Sequence, residues 1–122
     1  MEGLNVDNIQ IENKKFLAET FKNYYRDTLH VQGDREVIIQ WETVFYRKKN
    51  ELVVHKSKSK AEKEETWQEL INKGYEWFYS FGHYQMNKHC RLQNEFTENE
   101  IEVMVDKNEN LFKTLAKVFL EL

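Results

Sequence analysis

The chain of 122 residues has no proline, only four glycines and a single cysteine. Without proline there is no cis-proline turn, no proline-rich ligand motif and no stiff proline linker. The four glycines form no phosphate-binding loop, and Cys90 alone provides neither an internal disulfide nor a cysteine-based zinc cage. Disulfide staples, cysteine-based zinc cages and glycine-loop nucleotide sites are therefore excluded.

Long apolar runs and a strong net charge are missing as well. No stretch approaches the roughly 20 consecutive apolar residues of a membrane-spanning helix, and the first residues lack the basic and apolar regions of a signal peptide. The net charge of −3 disfavours binding to a uniform polyanion. We therefore expect a cytoplasmic protein without membrane contact, and the lone cysteine agrees with a reducing compartment.

The residues that are present favour one soluble globular domain. Apolar residues make up 40% of the chain and charged residues 32%, a balance typical of folded rather than disordered proteins. We expect a flexible N-terminus over residues 1–8 and a single domain over residues 9–122. The abundance of lysine, asparagine and glutamate suggests an AT-rich genome, such as that of a phage or plasmid.

Three segments have the spacing of amphipathic helices. Residues 8–29 and residues 111–122 repeat apolar side chains every three or four positions. Between them, Ser59 and Glu62 match a capping box, and Gly74 can end the helix that follows because it adopts positive φ easily. The C-terminal apolar stripe is expected to pack on a sheet, because its polar face has too few cations for a lipid surface.

Five segments are expected to form strands. Residues 35–47 and 51–56 alternate and resemble a hairpin with a charged loop, residues 75–82 form an aromatic strand, and residues 89–93 and 100–105 follow. The order is helix, two strands, helix, three strands, helix. This order predicts an α+β protein in which an antiparallel sheet of about five strands carries three helices mainly on one face.

The aromatic run has two interpretations. Six aromatic residues occur between Tyr75 and Tyr84. Rings on an exposed sheet face stack nucleobases, so Tyr75, Trp77 and Tyr79 are candidate platforms for single-stranded nucleic acid. Such rings also fill cores, since each buries about 150–250 Å². The core interpretation is favoured.

Charge is segregated along the sequence. Residues 47–63 contain seven basic and two acidic residues, a local net charge of +5, whereas residues 94–109 contain six acidic residues and one lysine, a net charge of −5. This pattern favours a partner with a complementary patch. It also allows a homodimer in which the basic hairpin of one copy meets the acidic segment of another, or two solvated edges that keep the sheet soluble.

The sequence predicts no metal site, no cofactor and no catalytic residue. His83 and Cys90 could approach on a hairpin, but His89 is adjacent to Cys90 and points to the opposite face of a strand. At most two ligands therefore converge, whereas structural zinc needs four. No base or anion-stabilising pair is identifiable for Cys90 as a nucleophile.

The leading hypothesis is a small non-enzymatic binding protein, a regulator, adaptor or inhibitor, that recognises a protein partner through a charged hairpin and a sheet edge. The alternatives are single-stranded nucleic-acid binding and a small enzyme whose ionisable groups converge only in the fold. The predicted contacts are Arg47, Lys48 and Lys49 at the hairpin tip, Lys56, Lys58 and Lys60 in the basic loop, and whichever of Trp41, Tyr46 and Phe78 is exposed.

Overall fold

The computed structural model describes residues 5–29, 42–82 and 97–122, and these residues form four strands and four helices. In chain order the elements are β1 (Val6–Gln10), α1 (Lys14–Leu29), β2 (Glu42–Lys48), β3 (Glu51–Ser57), α2 (Lys60–Asn72), β4 (Glu76–Gly82), α3 (Glu98–Lys107) and α4 (Glu109–Glu121). The α+β class and the antiparallel sheet are confirmed. Among the described helices, none is both long and apolar enough to cross a bilayer.

The strands lie side by side in the order β1-β3-β2-β4, and every neighbouring pair is antiparallel. The predicted hairpin is confirmed as β2 and β3, joined by a turn at residues 49–50. The expected strand at 89–93 and the first part of the expected strand at 35–47 lie outside the described residues. Three of the five predicted strands are present in the described sheet as β2, β3 and β4, and the fourth strand, β1, is one that the pattern does not predict.

Helices cover both faces of the sheet. On one side, here named the main face, α1 and α4 pack on a cluster that includes Phe45, Leu52 and Val54, and α3 joins the same cluster. On the other side, the α2 face, α2 packs on Val44, Tyr46 and Val53 through Leu70. All side chains from Glu42 to Arg47 are buried, because β2 lies in the interior of the sheet with helices on both sides.

The first predicted helix is shorter than expected and a strand precedes it. Val6–Gln10 pairs with β3, and α1 begins only at Lys14. The helix starts there because the Asn13 side-chain oxygen accepts a hydrogen bond from the Phe16 amide at 2.7 Å, as an N-terminal cap does. Residues 6–8, expected to be flexible, belong to β1.

The expected strand at 100–105 is wrong, since this segment is helix α3. The Thr97 hydroxyl accepts from the Glu100 amide at 3.1 Å, and the Glu100 carboxylate accepts from the Thr97 amide at 3.0 Å. This capping box starts a helix. Ile101 and Val105, one helical turn apart, are buried, whereas Val103 is exposed. The alternation of β-branched residues that suggests a strand is therefore overruled by the cap and by the helical spacing of the buried positions.

The predicted limits of the second helix are confirmed at both ends of α2. The Ser59 hydroxyl accepts from the Glu62 amide at 3.1 Å. Gly74 follows the helix with φ of +94°, and the Tyr75 amide donates back to the Leu70 carbonyl at 2.9 Å. Only half of the predicted capping box forms, because the Glu62 carboxylate lies instead against His55.

The C-terminal helix also packs as expected. Phe112, Leu115 and Phe119 of α4 are buried against the main face. The Phe119 ring meets the Phe78 ring edge-on, with centroids 5.3 Å apart.

The aromatic strand is confirmed as β4, but its side chains do not share one face. A register shift between Phe45 and Tyr46 leaves Phe78 without a paired residue in β2. Phe45 pairs with Tyr79 and Tyr46 pairs with Trp77. Paired residues of adjacent strands lie on the same side of a sheet, so Tyr79 lies on the main face and Trp77 on the α2 face. The β-bulge breaks the alternation that the sequence pattern predicts.

Candidate functional site

Arg47, a predicted binding residue, is used inside the fold. Its side chain lies on the main face and is only 9% exposed. Nε donates to the Phe119 carbonyl at 3.1 Å and Nη2 donates to the Leu122 backbone oxygen at 2.7 Å, while the guanidinium lies 5.0 Å from the centre of the Phe119 ring. The last carbonyls of a helix have no partner within the helix, so Arg47 satisfies the C-terminal end of α4. The exposed contact expected at Arg47 is therefore not observed.

Lys48 also donates to a carbonyl at the end of a helix, on the opposite side of the sheet. Successive residues of a strand point to opposite faces, and Lys48 points to the α2 face. Its Nζ donates to the Lys73 carbonyl at 2.9 Å and lies 5.4 Å from the centre of the Tyr75 ring. A cation at the C-terminal end of α2 is also favoured by the helix dipole. Two neighbouring residues thus stabilise the ends of two helices on the two faces.

Like Lys48, whose side chain is exposed, Lys49 lies at the surface of the hairpin tip. It is exposed and has φ of +55°, the left-handed conformation that an L-residue adopts at a steric cost. Within the described residues its ammonium group forms no ion pair. The tip of the β2–β3 hairpin therefore presents Lys49 to solvent.

The remaining predicted lysines lie at the other end of β3. Lys56 is exposed, although its ammonium lies 3.7 Å from the Asp27 carboxylate and 5.4 Å from the centre of the Tyr24 ring. Lys58 and Lys60 are exposed where the chain turns into α2. These three lysines are separated from Lys49 by the length of the strand.

The predicted aromatic contacts are mostly interior. Tyr46 has no exposed surface, so it is not available to a partner, and Phe78 is half-buried between Phe21 and Phe119. Trp41 lies outside the described residues. Two exposed tryptophans, Trp67 at 39% and Trp77 at 46% exposure, are absent from the predicted contacts. Trp77 lies on the α2 face because of the β-bulge between Phe45 and Tyr46, and no sequence pattern indicates this bulge.

The three rings proposed for base stacking do not form one platform. Trp77 lies on the α2 face, whereas Tyr79 lies on the main face and contacts the Phe81 ring at 5.5 Å between centroids. Tyr75 is half-buried, and its hydroxyl donates to the Glu51 carboxylate. Successive bases therefore have no shared surface across these three residues.

The acidic segment also uses part of its charge internally. The Glu102 carboxylate accepts two hydrogen bonds from Arg26, at 2.9 and 3.1 Å. Glu109 lies 3.3 Å from the Lys22 ammonium, and Glu100 closes the cap of α3. The contacts of Glu102 and Glu109 join α3 and α4 to α1.

A cleft of about 560 Å³ lies where β1 meets the hairpin tip. It is lined by residues 8–11 of the β1 segment and residues 48–51 of the hairpin. Asn8 and Gln10 are exposed, and within the described sheet β1 pairs on one side only, with β3. The cleft therefore brings together a sheet edge and the charged hairpin tip, the two features that the sequence hypothesis combines.

A carboxylate organises the floor of this edge cleft. Glu51 accepts a hydrogen bond from the Asn8 side-chain amide at 2.6 Å and another from the Tyr75 hydroxyl. The Tyr75 hydrogen bond is the main cause that holds the pKa of Glu51 below its usual value, and the reciprocal effect raises the pKa of Tyr75 to about 12. Glu51 thus stays ionised and ties β1, β3 and the start of β4 together.

A second polar cluster is buried between the sheet and α2. His55 is 1% exposed, and its Nε2 lies 3.2 Å from the Glu62 carboxylate and 3.4 Å from the Thr66 hydroxyl. Burial lowers the pKa of His55, although Glu62 opposes this effect. Nearby, the buried Glu42 carboxylate lies 2.9 Å from Lys63. This cluster lies under α2, so it is a structural contact between sheet and helix.

The described residues contain no group of three or more His, Cys, Asp or Glu side chains placed to hold a metal ion. His83, His89 and Cys90 lie outside the described residues. Comparison of the chain with protein-family models, with curated proteins and with solved structures gave no match.

Proposed function

We propose that this chain is a non-catalytic binding protein that holds an extended acidic segment of a partner protein along the edge strand β1. The single observation that carries the proposal is the cleft that β1 shares with the hairpin tip. An edge strand presents unpaired backbone N–H and C=O groups, and an added strand satisfies them. The proposal keeps the hairpin and sheet edge of the sequence hypothesis and assigns them to one surface.

Lysines beyond the two ends of β1 favour a ligand with one acidic residue at each end, whereas Asp7 and the ionised Glu51 disfavour acidic residues between them. Val6 pairs with His55 and Gln10 pairs with Glu51, so Lys49 lies just beyond one end of β1 and Lys56 just beyond the other. The five residues of β1 span about 17 Å. An extended ligand with acidic residues roughly five or six positions apart would place one carboxylate near each lysine.

Three parts of the sequence hypothesis change in this proposal. Arg47 and Lys48 belong to the fold, so Lys49 is the principal contact at the tip. Trp77, on β4 at the opposite edge of the described sheet, is not part of the site. The nucleic-acid alternative is not favoured, because the aromatic rings are divided between two faces. The proposed role is that of a regulator, adaptor or inhibitor acting on a protein in the cytosol.

Selection of peptides from a random library on the immobilised protein tests the proposal. We expect the selected peptides to be rich in Asp and Glu at the spacing given above. A Lys49→Glu substitution should weaken their affinity about tenfold, since one close charge pair at an interface is replaced by a repulsion. Isothermal titration calorimetry measures the change.

The matched control is Lys113→Glu, which makes the same charge change on α4, outside the edge cleft. Its affinity for the selected peptides should equal that of the unchanged protein. Peptides without an acidic bias, or equal weakening by both substitutions, would overturn the proposal. Retention of a single-stranded oligonucleotide at about 50 mM salt that falls steeply with added salt would favour the nucleic-acid alternative instead.

A further inference from the structure

A separate groove lies between α1 and α4, on the outer side of the helix layer that covers the main face. It has a volume of about 520 Å³, within the usual range of small-molecule sites. The half-buried Ala18 lines it, and the almost fully buried Phe112 lies beneath. Since Ala18 has the smallest side chain along this side of α1, the two helices leave room between them.

The groove has an excess of positive charge in a chain that is acidic overall. Its lining contains four lysines and two glutamates, a local net charge of +2, against −3 for the whole chain. Lys22 lies 3.7 Å from Glu19 and 3.3 Å from Glu109, so this lysine is paired and closes one end of the groove. The unpaired positive charge of the groove therefore lies at the end opposite Lys22.

Lys14, Lys15 and Lys113 carry that charge. All three are exposed, and within the described residues none has an ion pair. Lys14 and Lys15 also occupy the first turn of α1, which contains no acidic residue. The N-terminal end of a helix repels cations. Lys14 and Lys15 therefore destabilise the first turn of α1. A bound anion would offset their repulsion from the helix dipole.

We propose that the groove binds a free medium-chain carboxylic acid. The acyl chain lies over Ala18 and Phe112, and the carboxylate lies between the first turn of α1 and Lys113. From Lys15 to Lys22 the groove follows seven residues of α1, about 11 Å, which suits a chain of roughly eight to ten carbons. This inference is independent of the edge cleft, which lies at β1.

Calorimetric titration with decanoate, below the concentration at which it forms micelles, tests the inference. We expect saturable binding with one site per chain. Removing each buried methylene should weaken affinity roughly fourfold, so octanoate should bind more than tenfold more weakly. The cation decyltrimethylammonium, of the same chain length, should not bind at this site.

Two substitutions locate the ligand. Lys113→Glu should weaken decanoate binding about tenfold, and Ala18→Phe should abolish it by filling the floor. Lys49→Glu is the matched control and should leave the affinity unchanged. The double substitution Lys14→Glu and Lys15→Glu is the most diagnostic variant, because it should raise the midpoint of thermal unfolding while it weakens decanoate binding. A fold damaged by substitution would show the opposite change in the midpoint.

Absence of decanoate binding would overturn the inference, as would equal binding by the unchanged protein and by the Lys113→Glu and Ala18→Phe variants. Binding to phosphatidylglycerol vesicles that competes with decanoate would also overturn it, since the ligand would then be a lipid surface rather than a free acid.

Discussion

At the scale of single residues, Arg47 and Lys48 show how one strand stabilises a helix on each side of a sheet. Arg47 donates two hydrogen bonds to backbone oxygens at the end of α4. Hydrogen bonds from charged groups contribute about 1.5–3 kcal/mol, and a buried acceptor that loses its donor keeps its desolvation penalty. Arg47→Met, which keeps most of the aliphatic stem, should lower the free energy of unfolding by about 2–3 kcal/mol.

Urea denaturation followed by circular dichroism measures this change. Lys49→Met, two positions along the chain, is the control and should change stability by less than about 0.5 kcal/mol, as exposed substitutions usually do. Equal effects at Arg47 and Lys49 would contradict the assignment of Arg47 to the fold.

Backbone handedness gives a second prediction at the residue scale. Lys49 has φ of +55°, whereas Gly74 has φ of +94° and lies beside the Lys48 side chain, whose Cε would be 3.4 Å from an added Cβ. Glycine adopts positive φ without a Cβ penalty. Lys49→Gly should therefore raise the free energy of unfolding by about 0.5–1 kcal/mol, and Gly74→Ala should lower it by about 1 kcal/mol. Changes of the same sign in denaturation experiments would show that local conformation does not control these sites.

At the scale of elements, helix α3 depends on its cap. Thr97 and Glu100 satisfy each other's backbone amides. Thr97→Ala removes one half of this exchange and should destabilise the protein by about 1 kcal/mol. Thr97→Ser keeps a hydroxyl and should retain most of the stability. If both substitutions had the same effect on the urea midpoint, the hydroxyl would not be the stabilising group.

The contact between β3 and α2 should make stability depend on pH through His55. Burial lowers the pKa of this imidazole from its usual value near 6.5. As the pH falls below 6.5, the unfolded chain binds a proton that the folded chain does not bind. The free energy of unfolding therefore falls with pH until the lower pKa of the folded state is reached.

His55→Gln removes this proton from both states, so the variant should lose less stability than the unchanged protein between about pH 7 and pH 5. Chemical denaturation at each pH measures the two slopes. Since the other histidines are unchanged in both proteins, parallel slopes would rule out His55 as the cause.

Elements with local signals could be predicted from the sequence, and elements defined by distant partners could not. Ser59 and Gly74 mark α2 because their roles depend on neighbouring residues. Thr97 also caps a helix, but there the alternating Ile101 and Val103 suggest a strand. Only the burial of these side chains distinguishes the helix from a strand. β1 is polar at three of five positions and forms because β3 pairs with it, which no local pattern reveals.

The candidate site could be predicted only in part, because the exposure of its residues also depends on distant partners. The charge of the hairpin is visible in the sequence, but which lysine faces solvent depends on what lies above and below β2. Arg47 is buried because α4 ends beside it, whereas Lys48 and Lys49 are both exposed, and only the Lys48 ammonium is held by a helix end, through the Lys73 carbonyl. Tyr46 is buried for a related reason, since both sides of β2 are covered.

At the scale of the whole molecule, the two charged segments contribute to the fold as well as to the surface. The basic hairpin holds the ends of α2 and α4, and the acidic segment holds α1 through Arg26 and Lys22. The proposed homodimer through these segments would have to break or bypass those contacts. Sedimentation should therefore show a monomer whose mass does not change with salt. A dimer that dissociates as salt rises would restore the charge-pairing hypothesis.

The most direct test of the account is amide hydrogen exchange in Val6–Gln10 with and without a selected acidic peptide. The account predicts that the outward-facing amides of this strand exchange more slowly when the peptide is bound, because the added strand accepts their hydrogen bonds. Protection confined to β4 around Trp77, with β1 unchanged, would contradict it.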